Sequence, residues 1–255
     1  MNSDLNSIIT EEEILKSTSL NSINDNILEV TNLSKNFGSK HVLNDINFIL
    51  KKGKVLGILG PNGQGKTTLL NIISGLFKPT LGNIEINGIS VGVETKRFIS
   101  YLQEKDYLFK WMKVNDALKF YKDFFEDFNE NKALNLLKFM GIKTDSKLKA
   151  LSKGMLEKVA LSLTLSRDCS LYILDEPISG VDIISRDKII NAIIDNLDST
   201  ASMIITTHYV GELEQLFDEV IFLGEGSIIE NGDAEELRIK YGTSIDQIYR
   251  KVFAE

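Results

Sequence analysis

One run constrains this chain more than any other: Gly60-Pro61-Asn62-Gly63-Gln64-Gly65-Lys66-Thr67-Thr68. It fits G-x-x-x-x-G-K-[ST], in which a glycine-rich turn points backbone N–H groups at phosphate oxygens. Each position has a physical task. The glycines permit the inward turn. Lys66 reaches the terminal phosphates as a point charge, and the Thr67 hydroxyl is placed to bind Mg²⁺. A helix starting here aims the positive end of its dipole at the anion. The flanks agree: residues 54–59 read as a buried strand and residues 68–73 as a helix. Strand, glycine loop and helix are the setting this motif needs, which weighs against a chance glycine loop closing a strand-to-helix turn.

Bulk properties narrow the class. The chain has 255 residues, 25% of them charged and 43% hydrophobic, as in an ordinary globular protein. A net charge of −7 weighs against a general nucleic-acid binder, and no nucleic-acid partner is expected. Cys169 is the one cysteine, so no disulfide framework exists and a reducing compartment fits. With two distant histidines, His41 and His208, a Cys/His metal cluster is not expected. No apolar stretch approaches the length that spans a bilayer, and the first residues lack the charge and apolar pattern of a signal peptide. A cytoplasmic chain is expected, open to being the peripheral subunit of a membrane complex.

Along the chain, residues 1–26 are rich in Asn, Ser and Glu and read as a mobile tail. Thr10 with Glu13 could cap a short helix over residues 11–16. Residues 27–33 and 42–50 alternate as strands around the turn Gly38-Ser39, and residues 83–87 with Gly88 form another strand and turn. From about 114 to 140 the pattern is helical. Ala117, Leu118, Tyr121, Phe124 and Phe125 recur at helix spacing as the expected core of a helical lobe, with a second helix over 132–140 stopping at Gly141. Trp111 lies just before this lobe. After residue 169, short apolar runs at 170–174, 202–207 and 219–223 suit buried parallel strands, separated by helical patterns at 184–196 and 210–217. The layout is an α/β core interrupted by a helical insertion.

The run Leu171-Tyr172-Ile173-Leu174-Asp175-Glu176-Pro177 places two carboxylates at the carboxyl end of a buried strand, where open α/β sheets bind ligands. Phosphoryl transfer to water needs one carboxylate for Mg²⁺ and another for the attacking water. Adjacent strand residues point to opposite sides, so an Asp-Glu pair is expected to separate these tasks. A solvated loop with inert carboxylates is the bland alternative, and the phosphate loop argues against it.

Together these residues resemble the ATP-binding subunit of an ABC transporter over about residues 27–237. Residues 60–67 resemble its Walker A motif and residues 171–176 its Walker B. Gln103 resembles the Q-loop glutamine. Leu151-Ser152-Lys153-Gly154-Met155 stands where the family has LSGGQ; Ser152 and Gly154 are kept, while Lys153 and Met155 depart from the pattern. Ser179-Gly180-Val181-Asp182 resembles the D-loop and His208 the switch histidine. Phe37 stands where the family stacks an aromatic ring on adenine, with core packing as its alternative. The altered signature and residues 120–125 look like bacterial exporters of the ABC-2 type.

The resemblance implies an α/β fold: a P-loop NTPase core with an N-terminal antiparallel β region and a helical insertion lobe. The implied layout is a tail at 1–26, an ATPase domain at 27–240 with the lobe at about 104–168, and a short helical extension at 241–255. It implies ATP hydrolysis powering a transporter, with export of a drug, antimicrobial peptide or envelope-active compound. ATP would lie against Phe37, Gly60, Pro61, Asn62, Gly63, Gln64, Gly65, Lys66, Thr67 and Thr68. Ser152 and Gly154 would come from a second chain. Thr67, Gln103 and Asp175 would hold Mg²⁺. Glu176 would act as base, with Gln103 and His208 beside it. The implied partners are an integral membrane permease and a second ATPase subunit, identical or paralogous, at the cytoplasmic face of the membrane. A soluble or regulatory ABC ATPase not coupled to transport is the alternative.

Overall fold

The computed structural model describes residues 25–104, 108–197 and 200–254, with residue 184 described by its backbone alone. The capping box at Thr10 and Glu13 lies outside the described residues. Two sheets organise the fold. β1 (Asn26–Phe37), β2 (Lys40–Lys51), β4 (Leu81–Ile86) and β5 (Ile89–Ser90) form an antiparallel sheet in the order β2-β1-β4-β5. Leu28 faces Leu50 on one side and Ile86 on the other, and Val30 faces Phe48 and Ile84, giving the sheet an apolar inner face.

The second sheet has the order β10-β9-β3-β8-β7-β6. Its strands are β3 (Val55–Leu59), β6 (Ile99–Leu102), β7 (Leu171–Asp175), β8 (Ser202–Thr207), β9 (Glu219–Gly224) and β10 (Ser227–Asp233). All neighbours pair in parallel except β9 with β10, which is antiparallel. The continuous apolar runs are explained by burial on both faces. Leu171 and Ile173 enter one core, while Tyr172 and Leu174 enter the other. The first core also holds the antiparallel sheet and Leu69, Leu70, Ile72 and Ile73 of α1 (Lys66–Ile73). The second is shared with the remaining helices.

Those helices are α2 (Val114–Phe124), α3 (Glu130–Phe139), α4 (Lys153–Leu165), α5 (Ile183–Asn196), α6 (Val210–Leu213), α7 (Ala234–Tyr241) and α8 (Ile245–Val252). In α2, Ala117, Leu118 and Tyr121 are buried as expected, but Phe124 is 68% exposed and does not join the core. The helix ends at Phe124, and Phe125, in an extended conformation (φ −122°), packs against the core instead. α3 closes at Met140, before Gly141 with φ +73°. The expected helix over 210–217 is shorter, α6 giving way to a 3₁₀ turn at Glu214–Leu216.

Candidate functional site

Strand order builds the site. β3, β8, β7 and β6 are successive neighbours, with Leu59 opposite Thr207, Thr206 opposite Asp175, and Leu174 opposite Leu102. Their carboxyl ends therefore place the phosphate loop, His208, the Asp175–Glu176 pair and Gln103 along one edge of the sheet.

The phosphate loop rises from β3 and enters α1 through Gly65, which has φ +99°. A Cβ at Gly65 would lie 2.8 Å from Leu43 Cδ2 and 3.0 Å from the Val42 carbonyl. Any side chain therefore meets both a disfavoured backbone region and the wall of β2. Gln64 anchors the loop from the other side, accepting the Glu225 N–H at 2.6 Å. Gly65→Ala is expected to weaken ATP binding about tenfold or more, since forcing a side chain into this region costs ~1–2 kcal/mol before the clash is counted. A fluorescent-nucleotide titration reads this, and unchanged affinity would show that the loop relaxes freely.

Lys66 is buried, and its amine donates to the carbonyls of Gly60 (2.6 Å) and Pro61 (3.2 Å). It also lies 3.3 Å from Glu176 Oε1, an ion pair with both side chains 5% exposed. Glu176 Oε2 lies 2.9 Å from His208 Nδ1 and 3.4 Å from the His208 backbone N–H, which donates to it. One carboxylate thus joins the loop lysine to the histidine after β8.

Asp175 and Glu176 both open onto the phosphate-loop cleft, as their place at the strand end implies, but simple strand alternation is not what arranges them. Glu176 has φ +51°, a left-handed conformation that takes it out of the strand. Its N–H donates to Thr206 Oγ1 and the Thr206 carbonyl, both at 3.1 Å. These bonds hold the kink, so both carboxylates face the same cleft. Asp175 Oδ1 accepts from Thr206 Oγ1 at 2.6 Å, and the nearby Thr67 hydroxyl favours its charged form. Burial, followed by the charges of Glu104 and Glu176, pushes its carboxyl above the ordinary value.

Asp175 Oδ2 is buried with no hydrogen-bond partner among the described residues. An anionic oxygen left over beside a threonine hydroxyl is a donor set that a hard divalent cation fits. Among the described residues no group of three His, Cys, Asp or Glu side chains could form an all-protein metal cage. That suits Mg²⁺, which takes one or two carboxylates and completes its shell with water and phosphate.

Gln103 lines the same cleft as Asp175 and Glu176. Ser152 and Gly154 make their contacts elsewhere. Ser152 caps α4, its Oγ accepting the Met155 N–H at 3.3 Å. A Cβ on Gly154 would lie 3.3 Å from the Gly180 carbonyl, so the signature and D-loop segments pack backbone to backbone. Phe37 is 46% exposed, beneath the Lys35 amine and edge-on to Phe77 at 5.7 Å. Sequence reasoning missed Phe77, which is 40 positions from Phe37 and in no motif. It also missed Thr206, whose hydroxyl is the hinge of the acidic pair, although its place before His208 was a usable signal.

A glycine-lined turn at a helix start, a buried lysine and two carboxylates at the strand ends define a P-loop nucleotide-binding ATPase. Residues 43–179 match the family model described as ABC transporter. An uncharacterized ABC transporter ATP-binding protein of Methanocaldococcus jannaschii is 35% identical over 82% of this chain and 79% of its own length. The linearmycin resistance ATP-binding protein LnrL of Bacillus subtilis is 30% identical over 85% of this chain and 72% of its own. A solved ATP-binding subunit of an ABC transporter superposes with a TM-score of 0.81 at 27% identity, covering 89% of this chain and 99% of that one. The chain belongs to the ABC transporter family as an ATP-binding, ATP-hydrolysing subunit.

Proposed function

We propose that this subunit drives export of an antimicrobial or envelope-active compound through a separate membrane permease, as part of a two-ATPase assembly. The observation that carries hydrolysis is the meeting of Lys66 and His208 on Glu176. ATP is held by residues 60–68, with Phe37 against the adenine. A triphosphate entering the loop competes with Glu176 for the Lys66 amine. The released carboxylate takes a proton from water as the water oxygen bonds to the terminal phosphorus and the bond to the bridging oxygen breaks, leaving ADP and phosphate, and His208 reports the terminal phosphate through a hydrogen bond. Thr67, Gln103 and Asp175 would hold Mg²⁺, which supplies charge neutralisation on the phosphates.

Ser152 and Gly154 serve the second ATP from the start of α4, a helix terminus suited to an anion. ATP bound between two chains converts phosphate contacts into dimer affinity. Ser152→Arg is expected to block ATP-driven dimerisation while leaving ATP binding by the single chain intact. Light scattering with and without ATP checks this, and unchanged dimerisation would count against the intersubunit role.

Among the described residues no helix is long and apolar enough to cross a membrane. Trp111 is 74% exposed, stacked with Phe109, which meets Phe120 edge-on. Exposed aromatics of this kind suit a docking site for a permease helix. The export reading follows the linearmycin resistance relative. Purification from native membranes tests the coupling. The expected result is a co-purifying integral protein whose retention falls in Trp111→Ala. Recovery without such a protein, with ATPase activity stimulated by DNA, would overturn it.

A further inference from the structure

The D-loop segment and the switch histidine belong to different parts of the chain, yet one side chain touches the surroundings of both. Arg186 lies in the first turns of α5, directly after the D-loop. Its Nε donates to the Val181 carbonyl at 3.1 Å. Its Nη1 donates to the Glu212 carboxylate on α6, just beyond His208. The guanidinium also covers the Tyr209 ring, 4.4 Å from its centroid. The Tyr209 ring is 4.0 Å from that of His208, and His208 Nδ1 is 2.9 Å from Glu176.

The chemistry requires an arginine. A planar fork can donate in two directions while its face lies on an aromatic ring, whereas a lysine amine is a single point charge. The Arg186 side chain is 15% exposed, while Glu212 is 38% exposed, so the bond to the Val181 carbonyl and the stacking on Tyr209 are the better shielded contacts. Both ends of the connection are anchored. Asp182 caps α5 by accepting the Ser185 N–H at 3.0 Å, and the Tyr209 N–H donates to Thr207 Oγ1 at 2.9 Å. A shift of the D-loop end therefore carries Arg186 with it.

We propose that Arg186 is a positioning residue for hydrolysis: it fixes the Tyr209–His208 pair to the Val181 end of the D-loop, so the histidine's place at Glu176 follows the loop that the second subunit closes upon. This rests on the roles proposed above for His208 and the D-loop. Turnover becomes sensitive to interface closure through a side chain that touches no nucleotide.

The test is a double-mutant cycle on ATPase turnover in the full chain. Arg186→Met is expected to lower kcat about tenfold, the size of coupling that contacts within one network show. KM for ATP should stay within roughly twofold, since the nucleotide contacts are untouched. Arg186→Lys should recover little, because it cannot both stack and bridge. In a His208→Ala background Arg186→Met should add no further loss, an outcome a merely structural role would not give. Tyr209→Leu serves as a second probe if Arg186→Met does not fold; it leaves the bonds to Val181 and Glu212 in place and should show the same dependence on His208. Equal losses in both backgrounds, with His208→Ala itself impaired, would overturn the proposal for Arg186 alone. Unimpaired turnover in His208→Ala would refute the switch reading and this inference with it.

Discussion

Replacing Glu176 by Gln is expected to lower ATP turnover by ~10²–10⁴-fold, the contribution of a positioned general base. The side chain keeps its shape and one acceptor oxygen, so the contact to Lys66 can persist while the amide nitrogen takes the place of the oxygen that faces His208. It can no longer take a proton from water. ATP binding should be retained or tightened, because Gln removes a negative charge 3.3 Å from the lysine that must meet the phosphates. Binding without hydrolysis leaves the ATP-bound assembly with no exit, so an ATP-dependent dimer should accumulate. Turnover assays with light scattering check both halves. Near-normal hydrolysis would remove Glu176 as the base; lost hydrolysis without a dimer would instead strike the shared-site reading.

The parts of this site that were legible in the sequence are local. The phosphate loop announces itself because its physics fits within nine consecutive residues, and each parallel strand because burial on both faces needs an unbroken apolar run. The geometry between motifs was not legible. A shared crevice for Asp175 and Glu176 was legible from their place at a strand end, but the left-handed turn at Glu176, held by a threonine 30 positions away, was not. Helical periodicity offered slots to both Phe124 and Phe125, and the helix end decided between them. Arg186 showed no signal at all. Its bond to Glu212 spans 26 positions, and its stacking partner Tyr209 lies in no motif. Long-range contacts by single side chains leave no period and no motif.

Asp175→Asn is expected to abolish useful turnover and yet to raise the melting temperature of the nucleotide-free protein at neutral pH. Turnover should fall at least about 100-fold, as when one charge-stabilising group is lost from a reaction centre. The stability effect follows from the carboxyl's environment. Burial, and then the charges of Glu104 and Glu176, raise its pKa above 3.8, outweighing the Thr206 bond and the nearby Thr67 hydroxyl. The unfolded chain ionises this group at the ordinary value, while the folded chain holds the proton to higher pH. Ionisation therefore costs folding stability; the cost is absent below the ordinary value and complete above the raised one. Asn keeps the acceptor for Thr206 and carries no charge, so its advantage should grow as pH rises above the ordinary carboxylate value and level off above the raised one. It should fade as pH falls through the carboxylate range. Adding Mg²⁺ and nucleotide should reverse the ranking, because only the wild type gains from binding them at this carboxylate. Thermal melts of both proteins across pH, with and without Mg²⁺ and ATP, decide the matter. A variant less stable at every pH would show that the Asp175 charge supports the fold. The expected result would show that the Asp175 charge is a local cost to folding, retained for what it presents to a cation.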